Sequence, residues 1–260
     1  MSVTYSSYLQ LEKLLALQHP RDGELEHDET LFVIIHQIYE LWFKEVLHEF
    51  DYLMRMLRGN DTPLAAATLK RILTILKTLV AQIDVLETMT PLNFLAFRDR
   101  LESGSGFQSH QFRAIEFVLG KKARPSFERY PTGSAHRKLV EDRFAQPTLW
   151  DAFLHYLSAN GYQVPRELLR REVTLPLEPS PEVQKILIDV YRKNPTVAQI
   201  AERFVDLDEG FMEWRYRHVK MVQRTIGAKM GTGGSMGAEY LLKTLNQPAF
   251  PDLWAIRSEL

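Results

Sequence analysis

From Asn194 to Gly237 the chain reads NPTVAQIAERFVDLDEGFMEWRYRHVKMVQRTIGAKMGTGGSMG, a long helical pattern that ends in a glycine-rich loop. Apolar residues recur at steps of three and four through Val197, Ile200, Phe204, Leu207, Phe211, Trp214, Met221 and Val222, so they share one helical face. His218 sits on that same face. A histidine on an apolar seam is either a core residue with a hydrogen-bond partner or a ligand, and position alone does not separate the two. Its neighbours add a second consideration. Arg215, Arg217, Lys220 and Arg224 crowd the flanks of the same two turns, where guanidinium groups would meet the carboxylates of a planar apolar ligand resting on the seam. Haem fits that description, with His218 as the single axial ligand and the opposite iron face open to a gas.

The loop GAKMGTGGSMG brings Gly227, Gly231, Gly233, Gly234 and Gly237 close together, so its backbone is free to take positive φ and to approach a ligand. It is not a Walker A loop, because no GK[ST] ends it and a helix precedes it. It serves either as a helix C-cap with a long turn or as a cradle in which the Thr232 hydroxyl and neighbouring N–H groups hold a small polar ligand.

Composition limits the partners. Lys plus Arg number 32 against 33 for Asp plus Glu, so no net field points to nucleic acid or an anionic membrane, and the partner is expected to be small. No cysteine occurs, which removes disulfides, thiolate haem ligation, iron–sulfur clusters, zinc ribbons and cysteine nucleophiles. The amino terminus, MSVTYSSYLQLEKLL, has no basic segment followed by an apolar stretch, and no run approaches a membrane span, so the expected compartment is the cytoplasm. The chain is long enough to bury a sizeable core, and residues 1–260 are expected to form a single domain.

Taken in order, Tyr5 to Leu17 is an amphipathic helix candidate, which packs either on its own domain or on a neighbouring subunit. Asp28 is a good N-cap for a helix running to about Gly59. Its main seam is expected through Leu31, Ile34, Ile35, Ile38, Leu41, Trp42, Val46, Phe50, Leu53, Met54 and Leu57, with a second strip through Phe32, His36, Phe43 and Leu47. His36 lies one turn after Phe32. The two form either a pocket wall, with the ring stacking and the imidazole hydrogen-bonding, or core in which His36 pairs with Glu40. Thr62 and Pro63 open an antiparallel partner helix, and Thr90 and Pro91 open a short one to about Leu101. The short helix puts Phe94 and Arg98 on one face, where Arg98 either snorkels and pairs with Asp99 or clamps a carboxylate with its fork. FQSHQFRAIEFVLG is a further helix closed by Gly120, and others are expected at about 134–145, 148–158 and 181–193. LRREVTLPLEPSPE reads as a linker or surface crossing, and two short helices end the chain. No alternating run is long enough for a sheet, so the fold class is all-α.

Other chemistries find little support. HExxH is absent, and Gly233-Gly234-Ser235-Met236-Gly237 spells G-x-S-x-G only after a helical pattern, without the strand that a nucleophile elbow needs. His27-Asp28-Glu29, half of a facial iron triad, lies at a helix N-terminus where acids have a helix-dipole reason to be.

Four blocks carry a family resemblance. YLQLEKLL, HDETLFVIIHQIYELWFKE, LETMTPLNFLAFRDRLESGSGFQSHQFRAIE and WRYRHVKMVQRTIGAKMGTGGSMG resemble, in the same order, motifs of the tryptophan 2,3-dioxygenases, haem enzymes that open the indole ring of L-tryptophan. The resemblance covers essentially the whole chain. It implies a helical bundle around one b-type haem per subunit, in a homotetramer that uses no flavin or nicotinamide. The implied reaction inserts O2 across the C2–C3 bond of L-tryptophan to give N-formyl-L-kynurenine, the first step of the kynurenine pathway. The alternative is a relative that monooxygenates a tryptophan derivative in a biosynthetic pathway. By the same resemblance His218 is the proximal iron ligand and His36 the distal histidine that hydrogen-bonds the indole N–H. The implied substrate site comprises Phe32, Val33, Ile34, Ile35, His36, Phe94, Arg98 and Thr232, with Arg98 on the carboxylate and Thr232 on the ammonium and carboxylate. Ser105 and Gly106 match the loop over the haem, and Tyr5, Tyr8 and Leu9 are candidates for contacts with a neighbouring subunit's pocket. Some members carry Tyr where this chain has Phe94, so recognition here is expected to lean more on Arg98 and Thr232.

Overall fold

The computed structural model describes the chain apart from residues 1, 20–25, 123–126, 128, 228, 230–241, 243–244 and 246. Among the described residues there are helices and turns but no strand, as the lack of alternation predicts. The helices are α1 (Tyr5–Leu9), α2 (Leu11–Leu14), α3 (His27–Arg58), α4 (Thr62–Leu86), α5 (Pro91–Phe97), α6 (His110–Val118), α7 (Ala135–Phe144), α8 (Leu149–Ala159), α9 (Arg166–Leu169), α10 (Pro181–Lys193), α11 (Pro195–Ile226) and α12 (Pro251–Ala255). Single 3-10 turns at Arg98–Leu101 and Gly106–Gln108 lie between α5 and α6. No helix among the described residues is long and apolar enough to cross a membrane.

Helix starts follow side-chain chemistry. Thr90, Ser109, Ser134, Thr148, Ser180 and Asn194 each accept the backbone N–H three residues on, satisfying a donor that the first helical turn leaves over. Two starts differ from expectation. Glu26 rather than Asp28 caps α3, in a reciprocal arrangement with Glu29, and Asp28 instead faces the positive end of the helix from its first turn. Asp61 caps α4 by accepting Leu64 N–H at 3.0 Å, while the Thr62 hydroxyl bonds the Tyr156 hydroxyl at 2.7 Å.

The core forms where α4 packs on both α3 and α11 and where α8 packs on α3. Phe50, Leu53 and Leu57 of α3, Leu69 and Ile72 of α4, Phe153 of α8 and Phe204 of α11 are almost fully enclosed. Each contributes roughly 1.5–3 kcal/mol relative to exposure. At Gly210 a Cβ would stand 2.8 Å from Leu76 Cδ2, so a side chain at this close α4–α11 crossing would make Leu76 shift.

The buried face of α3 is rotated from the predicted seam. It runs through Ile35, Tyr39, Phe43, Val46, Phe50, Leu53, Met54 and Leu57, while Ile34 and Leu41 face outward at 38% and 51% exposed. A helix this rich in apolar residues offers two overlapping faces by periodicity, and packing against α4, α6 and α8 selects one of them. The amino-terminal helix is also broken: Gln10 takes φ 53° and separates α1 from α2. Neither short helix buries a residue, and Tyr5, Tyr8 and Leu9 remain exposed. Hydrogen bonds between Gln18 and Gln37 and from Gln37 to the Leu17 carbonyl hold the end of this segment to α3.

Candidate active site

A cavity of about 330 Å3 lies against Ile83 and Leu86 of α4 and Met89 just after it, and four further stretches converge on it. From α3 come Phe32, His36, Tyr39, Glu40 and Phe43, which project inward because they lie three or four residues apart. Phe94 of α5 and Arg98 of the following turn form a second side, and the Gly104–Ser109 loop with Phe112, Arg113 and Glu116 of α6 forms a third. The fourth is the carboxyl-terminal half of α11, through Trp214, Arg215, His218, Met221, Val222 and Thr225.

His218 is therefore on a cavity wall rather than inside the core. Its ring stacks on Trp214 at 5.4 Å, and burial, followed by the charges of His36 and Arg215, pushes its pKa down to about 4. A histidine so placed is neutral at pH 7 and keeps a lone pair for a metal. Across the cavity, His36 Nδ1 lies 2.6 Å from the Phe32 carbonyl oxygen, to which it donates. That bond assigns the proton to Nδ1 and leaves Nε2 as an acceptor. The open ring surface of His36 looks into the cavity, and burial lowers its pKa against the opposing pull of the Phe32 carbonyl and the Glu40 charge. Phe32 packs 4.1 Å from the His36 ring and 5.9 Å from Phe94. The pairing of His36 with Glu40 does not form as a hydrogen bond, since the Glu40 carboxylate accepts from Gln111 at 2.9 Å.

Of the sequence-identified site residues, Phe32, His36, Phe94, Arg98, Ser105, Gly106 and His218 all border this cavity. Val33, Ile34 and Ile35 do not: Ile35 is core and Ile34 points outward, because successive helical residues turn away from a face by about 100°. Thr232 lies outside the described residues. Tyr5, Tyr8 and Leu9 stand away from this cavity. The basic flank of α11 also divides. Arg217 pairs with Asp84 at 2.5 Å and Glu87 at 3.3 Å, Arg224 with Glu87 at 3.5 Å, and Lys220 donates to Gln223, so Arg215 alone among the four reaches the cavity. There it joins a buried triad that sequence reasoning missed: Glu116 takes Arg215 on one oxygen and Arg113 on the other. The i, i+3 spacing of Arg113 and Glu116 was a readable signal, whereas the arrival of Arg215 from 99 residues away was not.

A neutral imidazole on an aromatic and apolar wall, a second imidazole on α3, and the buried Arg113–Glu116–Arg215 cluster border one cavity of a helical protein. Relatives narrow the class. The sequence profile of the tryptophan 2,3-dioxygenase family matches residues 1–147 and 177–260. A protein of that name from Herpetosiphon aurantiacus is 60% identical over 100% of this chain and 99% of its own length. Others from Anaeromyxobacter sp. (strain K) and Caulobacter vibrioides are 53% and 40% identical, each covering at least 97% of both chains. The chain belongs to the tryptophan 2,3-dioxygenase family, a family of oxidoreductases.

Proposed function

We propose that this chain inserts both atoms of O2 across the C2–C3 bond of L-tryptophan, giving N-formyl-L-kynurenine, with one b-type haem held by His218. The observation that carries the reading is that His218, His36 and Arg98 line one cavity from three different walls. The donor set fits haem: a neutral histidine on an apolar wall supplies the axial nitrogen, and the cationic Arg113–Glu116–Arg215 cluster suits a propionate edge. When bound, haem would supply the iron at which O2 is activated.

The protein's own part is positioning. His36 Nε2 accepts the indole N–H, because Nδ1 is committed to the Phe32 carbonyl and burial keeps the ring neutral at pH 7. Phe32 and Phe94 pack on the ring system, and the Arg98 fork takes the substrate carboxylate, to which Phe94 offers no hydroxyl. By the family resemblance Thr232 is assigned to the ammonium and carboxylate of the substrate. His36 orients the indole and need not remove its proton, since an indole N–H is a poor acid. The exposed Tyr5, Tyr8 and Leu9 support contacts with a neighbouring subunit in a homotetramer, and a core cluster spanning α3 to α12 supports reading residues 1–260 as one domain. We place the reaction at the start of the kynurenine pathway in the cytoplasm.

The test is to reduce the haem-loaded protein without oxygen, add L-tryptophan and then O2, and identify the product by mass. A ring-opened product with two added oxygen atoms is expected. A single added oxygen would move the chain to the monooxygenating relatives.

A further inference from the structure

Four residues of α3 share one face in the order acid, ring, imidazole, acid: Glu29, Phe32, His36 and Glu40 follow one another at steps of three, four and four. The two acids stand about 16 Å apart along the helix axis, one on each side of the Phe32–His36 pair. Each is tied to the stretch from Arg98 to Arg113 that forms the opposite side of the cavity. At one end Arg100 Nη1 donates to Glu29 Oε2 at 2.8 Å, with Glu26 a further 3.6 Å contact, and Glu29 is buried. At the other end Gln111 Nε2 donates both to the Glu40 carbonyl at 2.8 Å and to its carboxylate at 2.9 Å. Arg98 stands two residues before the first tie, in the same turn, and between the ties run Leu101 and the Gly104–Ser109 loop; Arg98, Leu101 and most of that loop border the cavity.

We propose that Arg100 and Gln111 are positioning residues that fix the distance between His36 and Arg98, and thereby make the site selective for an indole whose carboxylate lies at one set reach. The proposal rests on the reading in which His36 and Arg98 hold the two ends of the substrate. Arg100 shares a single helical turn with Arg98, so the Glu29 tie sets where that guanidinium stands relative to α3. Gln111 prevents the other end of the segment from sliding along the same helix. Neither residue touches the substrate; both act through the placement of Arg98 and the loop. A bidentate guanidinium–carboxylate contact is sensitive to such placement, because an error of about 1 Å can cost on the order of a hundredfold. An ion pair serving stability alone would not separate one indole from another.

The experiment compares L-tryptophan with tryptamine, which keeps the indole and the amine and lacks the carboxylate. Both are titrated calorimetrically into the haem-loaded full chain. Wild type is expected to favour tryptophan, and Arg100→Met to lower that preference by about tenfold through weaker tryptophan binding with tryptamine unchanged. Gln111→Leu is expected to lower it by about threefold. Should Arg100→Met fail to fold because Glu29 is left buried without a cation, the double variant Glu29→Gln/Arg100→Met removes both charges and is expected to show the same lowered preference. A wild type that discriminates, with variants that discriminate equally well or lose both ligands alike, overturns the positioning role alone. A wild type that binds the two ligands alike overturns the assignment of Arg98 to the carboxylate, and the ties fall with it.

Discussion

His218 and His36 border the same cavity, yet their walls are made differently. The His218 wall is half of one 32-residue helix, α11, whose other half is locked into the core through Val197, Ile200, Phe204 and Leu207. The His36 wall is gathered from α3, α5, two 3-10 turns, a loop and α6, held together by Arg100–Glu29 and Gln111–Glu40. A continuous helix fixes its side chains by its own hydrogen-bond ladder, while a gathered wall depends on every tie between its pieces. One arrangement suits a group that stays, the other a molecule that must enter and leave.

Replacing His218 by Ala should break the first wall most severely. Loss of an outer-shell partner costs metal sites roughly 10–100-fold in affinity, and removal of the ligand itself costs at least that. The variant is expected to purify nearly free of haem, with its helical circular dichroism intact because α11 stays anchored by its first half. Normal haem content per chain would place the axial ligand elsewhere. Next in size is Arg98→Lys on the second wall, which keeps the charge and loses the fork. Tryptophan affinity should fall by roughly 1.5–3 kcal/mol, about tenfold to somewhat over a hundredfold, with the haem spectrum unchanged. If haem binding fell instead, the two walls would not divide cofactor from substrate.

The same contrast explains what was legible in the sequence. Periodicity revealed α11 and put His218 on its seam, because one helix carries its pattern in consecutive residues. The helix starts at Thr90 and Thr148 were legible for the same reason, being local. The α3 seam was misplaced towards Ile34 and Leu41, since a nearly all-apolar stretch leaves the choice of face to its neighbours. Periodicity left His36 and Arg98 open between pocket and other placements, and the structure brings both to the cavity; the roles proposed for them come from the family resemblance. The Arg215–Glu116 pair and the ties to Glu29 and Glu40 join residues roughly 70 to 100 positions apart, and no local pattern announces them.

A third region lies outside the cavity walls. Residues 148–176 fall between the two parts matched by the family profile, yet α8 packs firmly into the core. Asp151 there is held by Arg171 at 2.6 and 3.0 Å and by Thr148. Burial pushes the Asp151 carboxyl up, but these partners outweigh it and leave its pKa below the ordinary aspartate value. The folded state holds this proton less readily than the unfolded chain, so the stabilisation is complete above about pH 5 and is lost as the pH falls from roughly 4 through the depressed native value. Asp151→Asn is expected to cost on the order of 1.5 kcal/mol near pH 7, with the gap to wild type narrowing below about pH 4. Denaturant unfolding at both pH values checks this, and a gap that ignores pH would deny Asp151 its charge. Haem content and tryptophan binding should be unaffected at neutral pH.

The smallest expected effect tests whether the second wall depends on its pieces. Thr90 caps α5, accepting Asn93 N–H at 3.3 Å, and α5 has only seven residues. A helix that short has little cooperativity of its own, so the cap supports a large share of its order. Thr90→Ala should cost about 1 kcal/mol locally, which frays α5 just where it carries Phe94 and leads into Arg98. Tryptophan affinity is then expected to drop by up to about fivefold, with Thr90→Ser restoring it and haem content unchanged throughout. Loss of the Asn194 cap by Ala substitution provides the matching measurement on α11. That helix is anchored along its first half by core residues, so a similar local cost should stay at its amino end, more than 20 residues from His218, and leave both ligands bound as before. Equal sensitivity of tryptophan binding to the two caps would show that α11 transmits disorder along its length, and that the continuous wall is no more self-supporting than the gathered one.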